Sequence, residues 1–151
     1  MAVSPTLVRL VSAAHSFWYR LTGGRVGGKV SGAPVLLLTT TGRKSGKRPT
    51  TPLLYLRDGE SIVIVASNGG RDVHPAWWLN LQTNPEADVQ VGNVRTRLTA
   101  TKASAEERAR LWPLLVEMYP GYGDYQKRTK RQIPVVVLRP QGQSPSAPDA
   151  S

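Results

Sequence analysis

The feature that most constrains the fold is a series of short apolar and β-branched runs, separated by turn signals, that begins at Pro34. Runs of this length between glycine, proline and aspartate residues are typical of strands. Asp58-Gly59 and Gly92-Asn93 also predict hairpin turns. Six mostly antiparallel strands are therefore expected, at residues 35–41, 47–56, 61–66, 87–91, 94–101 and 133–138. Because hairpin strands must hide their edges, we expect a mainly β fold with added helices, in which the strands close into a small barrel.

Three helices are expected around these strands. Residues 5–21 carry apolar side chains at helical spacing, and such a helix either packs on the domain or lies on a membrane surface. A second helix is predicted at 74–82, and a capping box of Ser104 and Glu107 opens a third that runs to about Tyr119. We therefore divide the chain into a helix and glycine-rich linker at 1–33, one β domain at 34–140, and a disordered tail rich in Pro, Ser and Ala at 141–151.

Composition and charge exclude some kinds of site and favour anionic ligands. The chain has no cysteine and two histidines, so disulfides, zinc–thiolate sites and histidine-rich metal centres are excluded, and we expect no bound metal. Twenty Lys and Arg residues against ten Asp and Glu give a net charge of +10, which attracts nucleic acid, anionic lipid, or a ligand rich in phosphate or carboxylate. No apolar run approaches the ~20 residues of a membrane span. With no recognisable signal peptide, we expect a cytoplasmic protein, and the alternative interpretation of residues 5–21 would add a peripheral contact with the inner face of the membrane.

A basic loop between the first two strands is the first candidate site. Four cations and two glycines are packed into a tight turn after a run of threonines, and arginine, lysine and exposed backbone N–H groups bind phosphate or carboxylate. The alternative is a solubilising hairpin tip. The anion-binding interpretation takes in Arg43, Lys44, Ser45, Gly46, Lys47 and Arg48.

Three further segments are candidates. Ala66 and Ser67 end a buried strand, where a hydroxyl can contact a planar ring, although an ordinary loop is the alternative. The helix at 74–82 could line an apolar slot, and the candidate residues there are Ala76, Trp77, Trp78 and Asn80. The alternative is that at least one of the tryptophans packs in the core. Three tyrosines lie in a stretch that also contains proline and glycine, namely Tyr119, Tyr122 and Tyr125. They form either the wall of a pocket or a set of surface aromatics that cap the barrel. The chain lacks an evident carboxylate pair or catalytic triad, so such a site favours a redox cofactor that carries its own reactive atoms.

The motifs resemble those of the deazaflavin-dependent nitroreductase family of actinobacteria. The resemblance covers residues 34–139, and it is carried by motifs at 36–46, 66–70, 75–81, 84–85, 106–112, 119–126 and 133–135. It implies a six-stranded split β-barrel of the FMN-binding, pyridoxamine-oxidase-like type. It also implies coenzyme F420, a deazaflavin with a phosphodiester and an oligoglutamate tail, and hydride transfer to a quinone, an enone or a nitroaromatic.

Site roles follow from the same resemblance. Residues 43–48 would hold the phosphate and the tail, and Ala66, Ser67 and residues 76–80 would flank the deazaflavin. The three tyrosines would line the acceptor pocket, with Tyr122 also touching the coenzyme. Tyr119, Ser67 and Tyr125 would be catalytic, as proton donors or as groups that orient the acceptor. Asn68 and Leu54 depart from the family's pattern, where a lysine and a tyrosine are expected, and this bears on the choice of acceptor.

Two other functions stay open at this point. A basic β-barrel could bind nucleic acid without catalysis, through a cationic groove and stacking aromatics. An FMN enzyme could use the same barrel. For the F420 enzyme we expect a small-molecule acceptor, no nucleic acid, and a monomer or homodimer.

Overall fold

The computed structural model of this protein describes residues 29–30 and 33–140. Within these residues, eight strands, one short 3-10 helix and three α-helices follow one another. In chain order they are β1 Lys29–Val30, β2 Ala33–Thr39, β3 Thr50–Leu54, β4 Leu56–Asp58, β5 Ser61–Val65, the 3-10 helix Asn68–Gly70, α1 Ala76–Thr83, β6 Glu86–Val91, β7 Val94–Lys102, α2 Ala105–Met118, α3 Gly121–Arg128 and β8 Val135–Pro140.

The strands close into a barrel because one segment pairs with two different neighbours. The first half of that segment, β3, pairs antiparallel with β2, and the second half, β4, pairs antiparallel with β5. The ring is completed through β8, β7 and β6 back to β2. Tyr55 lies at the change of partner and is buried. The mainly β, six-stranded split barrel predicted from the sequence is confirmed, with its second strand divided at Tyr55.

Two apolar cores lie on opposite faces of the barrel wall. In β5, Ile62 and Ile64 point into the barrel interior, whereas Val63 and Val65 pack outward under α2 and α3. This alternation explains why the run is continuously apolar, since both faces of the strand are covered. Helix α1 joins the interior core through both of its tryptophans and Leu81, so these side chains complete the packing inside the barrel.

Helix α2 begins as its sequence predicts. The Ser104 hydroxyl accepts a hydrogen bond from the Glu107 backbone N–H at 3.1 Å, and the Glu107 carboxylate accepts one from the Ser104 N–H at 3.1 Å. The other oxygen of Glu107 accepts from Arg139 Nη2 at 2.5 Å, and Arg139 is a buried side chain of β8. The capping box therefore also fastens α2 to the barrel.

Helix α3 is the main departure from the prediction, which expected an irregular stretch after Tyr119. Pro120 and two glycines give Gly121–Arg128 a low intrinsic helix propensity. The helix forms because Tyr122 is buried in the outer core and Gln126 accepts the Ile133 N–H at 2.9 Å. Tertiary contacts thus outweigh local propensity.

The remaining differences are smaller. Strand β1 lies in the predicted linker, and β8 begins two residues later than expected. The expected helix at 5–21 and the expected tail at 141–151 lie outside the described residues, and so does most of the linker. Among the described helices, none combines the length and apolar character needed to cross a membrane.

Candidate functional site

The basic loop is a compact turn stabilised by its own backbone. The Gly42 N–H donates to the Lys47 carbonyl at 2.7 Å, and the Gly46 N–H donates to the Gly42 carbonyl at 2.9 Å. Gly46 has a φ of +70°, and a Cβ on Gly42 would lie 2.7 Å from Ser45 Oγ, so both positions favour glycine. All residues from 43 to 48 are exposed. The turn therefore presents its four cations to solvent together.

Asn80 attaches this loop to helix α1. Its Oδ1 accepts the Arg43 backbone N–H at 3.1 Å, and its Nδ2 donates to Thr40 Oγ1 at 3.1 Å. Only 4% of the Asn80 surface is exposed. The amide predicted to flank a cofactor ring thus contacts the protein itself, and it sets where the basic loop begins.

Arg48 leaves the loop on the outer side of the barrel and pairs with a carboxylate there. Its Nη1 donates to Thr41 Oγ1 at 2.7 Å and its Nη2 to Asp88 Oδ2 at 2.5 Å. Arg97 Nε donates to the other oxygen of Asp88 at 3.0 Å. The hydrogen bond from Arg97 is the main cause that lowers the pKa of Asp88, so Asp88 remains a carboxylate at neutral pH.

Ser67 occupies the end of β5, as predicted, and is 9% exposed. Its carbonyl accepts from the Gly70 N–H at 2.9 Å and from Arg131 Nη2 at 2.8 Å. Within the described part of the chain, the Ser67 hydroxyl has no hydrogen-bond partner. Leaving a buried hydroxyl without a hydrogen bond costs roughly 1–3 kcal/mol. A ligand that hydrogen-bonds to Ser67 removes this cost, so the hydroxyl is a candidate ligand contact.

Arg131 holds the segment that follows β5. Its guanidinium donates to three backbone carbonyls, of Ser67 at 2.8 Å, Arg71 at 2.8 Å and Ala66 at 3.2 Å. Its Nη1 also lies 3.2 Å from His74 Nδ1. Burial and then the charge of Arg131 lower the pKa of His74, so the neutral ring accepts from the guanidinium. One side chain therefore organises the whole turn around Ser67.

The three tyrosines form one cluster at the start of α3. The Tyr119 and Tyr122 rings meet edge to face with centroids 5.0 Å apart, and the Tyr119 and Tyr125 hydroxyls are 3.2 Å apart. The hydrogen bond with Tyr119 raises the pKa of Tyr125, and burial raises the pKa of Tyr122 strongly. Both phenols are therefore protonated donors at neutral pH.

The Ser67 turn and the tyrosine cluster touch each other. A Cβ on Gly70 would lie 3.0 Å from both the Cα and the carbonyl oxygen of Tyr125, so the two backbones approach more closely than side chains allow. The structure thus brings together two segments that lie more than fifty residues apart in the sequence. Each of them was predicted as a site from its own residues.

Other predicted residues have different surroundings. Trp77 and Trp78 are both buried in the barrel interior, where the sequence assigned at least one of them. Ala66 is also buried in that core, while Ala76 is exposed at the start of α1. The assignment of these four residues to the coenzyme stays a prediction.

Sequence reasoning missed three residues around the site. In the sequence, Arg131 stands out only as part of a basic run. Asp88 and Arg97 stand out only as polar residues within the two strands of a predicted hairpin. Their partners lie nine to sixty-five residues away. The strand register, which fixes these partners, is not written in any local motif.

Comparison with known proteins identifies the family. Residues 11–140 match the family model of F420H(2)-dependent quinone reductases. An F420H(2)-dependent quinone reductase of Mycobacterium tuberculosis is 45% identical over 128 residues, which are 82% of this chain and 86% of the relative.

Solved structures agree in fold. An F420-H2 dependent reductase, FDR-A, is 42% identical with a TM-score of 0.65, and the match covers 70% of this chain and 94% of that one. A protein solved as a domain-swapped dimer is 38% identical with a TM-score of 0.68, and the match covers 90% of this chain and all of the other. HutZ, a heme storage protein of Vibrio cholerae, shares the fold alone, at 14% identity and a TM-score of 0.52 over 72% of this chain and 82% of that one. This chain belongs to the F420H(2)-dependent quinone reductase family, and it is an oxidoreductase that uses coenzyme F420.

Proposed function

We propose that this protein reduces quinones with hydride from coenzyme F420, at a site between Ser67 and the tyrosine cluster of α3. The observation that carries the proposal is the buried Ser67 hydroxyl, which has no partner among the described residues although its turn is tightly held. A preorganised hydroxyl of this kind suits hydrogen bonding to a planar heterocycle. The names of the relatives, which specify quinones, support the choice of acceptor.

The chemistry of the basic loop fits the coenzyme. Its phosphodiester and oligoglutamate tail are anions, and residues 43–48 offer four exposed cations on a tight turn. Asn80 binds the loop and lies four residues after Ala76, the first residue of α1. Four residues of α-helix rise about 6 Å, and α1 follows the Ser67 turn in the chain. The loop therefore lies against the helix that follows the Ser67 turn, which supports one ligand reaching both segments.

Reduced F420, when bound, supplies a hydride and so transfers two electrons together. Conversion of a quinone to a hydroquinone consumes that hydride and one proton. The paired hydroxyls of Tyr119 and Tyr125 are suited to give the proton to a quinone oxygen, because each phenol carries an O–H donor and the two lie within hydrogen-bond distance of each other. Apolar packing behind the cluster helps to exclude water from the reacting atoms.

Enones and nitroaromatics are further acceptors that we propose on the resemblance. Asn68 and Leu54 differ from the residues expected in the nitroreductases. Asn68 lies at the Ser67 turn, where its Nδ2 donates to the Val73 carbonyl at 3.0 Å and it brings no charge. We therefore expect quinones to be reduced faster than nitroaromatics.

The first test is titration of the purified protein with F420, followed by quenching of tryptophan fluorescence. We expect saturable binding in the micromolar range or tighter. Lys44→Ala should weaken binding about tenfold through loss of a charged contact, whereas Arg57→Ala, which removes an exposed cation from β4, should not. Oxidation of the reduced coenzyme is then measured with a quinone, an enone and a nitroaromatic in parallel.

FMN and a short DNA duplex are titrated in the same way. Binding of FMN in place of F420 would assign the barrel to a flavin enzyme. Tight, strongly salt-dependent binding of DNA without binding of F420 would support a nucleic-acid module and overturn the proposal.

The assembly is proposed as a monomer or homodimer. A relative solved as a domain-swapped dimer supports the dimer, and light scattering of the full chain distinguishes the two.

A further inference from the structure

The outer face of the barrel carries a cleft that the proposed hydride transfer does not use. Its volume is about 480 Å³. Strand pairing places outward side chains there in two rows across β3, β2, β6 and β7, namely Thr50–Thr39–Asp88–Arg97 and Pro52–Leu37–Gln90–Arg95. Four strands about 4.8 Å apart give each row a length of roughly 14 Å. The cleft is therefore long enough for several residues of an extended chain.

The charge of the cleft is positive. Three guanidinium groups line it, from Arg48, Arg95 and Arg97, against the one carboxylate of Asp88. Arg95 Nε donates to the amide oxygen of Gln90 at 3.2 Å. In the region that the structure describes, Arg95 thus pairs with a neutral group rather than a carboxylate. Its positive charge is not neutralised by that partner and can attract an anion in the cleft.

The contacts of Asp88 show how the cleft binds a carboxylate. Its two oxygens accept separately from Arg48 Nη2 at 2.5 Å and Arg97 Nε at 3.0 Å. Guanidinium groups on both sides of one carboxylate form charge-assisted hydrogen bonds. The side chains around Asp88 are therefore already arranged as a carboxylate site. Arg97 also lies 3.8 Å from Glu86, so Arg95 is the cleft guanidinium without a carboxylate partner among the described residues, and it can take another.

The cleft is continuous with the basic loop. Arg48 is the last residue of the loop and a wall of the cleft, and the hydrogen bond from Gly42 to Lys47 keeps the two limbs of the loop together. Asn80 of α1 holds the other limb at Arg43. A chain that leaves the loop at Arg48 therefore enters the cleft.

We propose that this cleft binds γ-glutamyl carboxylates of the coenzyme tail, with Arg95 as a tail-binding residue beyond the basic loop. The inference rests on the proposed function, because the tail belongs to F420. It separates two parts of one ligand. The loop holds the phosphodiester, and the cleft holds the carboxylates that follow it. Binding strength should then depend on tail length through residues of β7.

The test compares the affinities of two forms of the coenzyme, one with a long oligoglutamate tail and one with no glutamate. Wild type, Arg95→Gln and the control Arg57→Gln are titrated with each form at low and high salt. Arg95→Gln should weaken binding of the long-tailed form about three- to fivefold and leave binding of the tail-free form unchanged, the size expected of one exposed ion pair. The difference should shrink at high salt because exposed pairs are screened. Arg57→Gln should change neither affinity.

A second variant changes the cleft in the opposite direction. Asp88→Asn removes the internal carboxylate while keeping its shape, so it should tighten binding of the long-tailed form at least about twofold. Equal affinity of wild type for the two forms, or equal effects of Arg95→Gln on both, would overturn the tail site while leaving the proposed function intact. Failure of wild type to bind either form would overturn both.

Discussion

At the residue scale, one glycine decides the position of a candidate catalytic group. A Cβ on Gly121 would overlap Cε2 of the Tyr119 ring, so this ring lies directly on the glycine. The same ring carries the hydroxyl that is 3.2 Å from the Tyr125 hydroxyl. A glycine early in a helix weakens it by roughly 0.5–1 kcal/mol relative to alanine, and here the missing side chain makes room for the aromatic ring.

Gly121→Ala should therefore lower turnover by at least about tenfold while leaving coenzyme affinity within about twofold, because it displaces the Tyr119 ring and breaks the hydroxyl pair. Tyr119→Phe should show the same division between turnover and affinity. Gly123→Ala is the matched control in the same helix, since its Cβ would meet Val116 Cγ1 at an ordinary 3.7 Å. Steady-state kinetics with a quinone and fluorescence titration with F420 measure the two effects. Equal turnover of the two alanine variants would rule out this role for Gly121.

At the scale of elements, Arg131 joins segments that have little regular structure of their own. The turn from Ala66 to Arg71 includes a residue with a positive φ, Asn68 at +48°, and three of its carbonyls accept from one guanidinium. Gln126 Nε2 of α3 in turn donates to the Arg131 carbonyl at 2.8 Å. Helix α3 and the Ser67 turn are therefore positioned together by one arginine.

Arg131→Met should destabilise the fold by about 1–3 kcal/mol, because it leaves partly buried carbonyls without their donor. Faster hydrogen exchange is expected first at residues 67–71. Lys130→Met is the control, because this exposed neighbour loses the same charge. Denaturant unfolding and hydrogen exchange by mass spectrometry give the two readouts. Unchanged exchange in the turn would contradict the assignment of Arg131 as its fastening residue.

At the scale of the whole molecule, the barrel and its helical cover are connected by a partly buried ion pair. Glu107 of α2 accepts from Arg139 of β8 at 2.5 Å, and the Arg139 side chain is 7% exposed. Arg139 also donates to Thr101 of β7 at 2.5 Å. Breaking a buried pair by removing one partner is costly, because the remaining charge has already lost its water.

Glu107→Gln should lower the free energy of unfolding by about 3 kcal/mol, although glutamine still completes the capping box. Glu106→Gln, in the same helical turn but exposed, should have almost no effect. Combining Glu107→Gln with Arg139→Met should recover part of the loss, which a double-mutant cycle by urea unfolding measures. Full additivity of the two changes would show that the pair is not coupled.

Local structure and the chemistry of the separate motifs could be predicted from the sequence. Apolar runs placed the barrel strands, the Ser104 capping box placed the start of α2, and the basic loop, Ser67 and the tyrosines were all recognisable as candidates. These features are encoded within a few neighbouring residues, through side-chain periodicity, backbone preference and charge. The same motifs, in order, were enough to indicate the family.

Which motifs contact each other could not be predicted from the sequence, because it depends on the folded barrel. The change of strand partner at Tyr55, the formation of α3, the attachment of Arg131 to the Ser67 turn and the pairing of Arg48 with Asp88 all depend on long-range contacts. Such contacts are set by strand register and by burial of the whole barrel, to which residues forty or more positions apart contribute together. A local pattern specifies which groups are present, whereas the closed sheet determines which of them are neighbours.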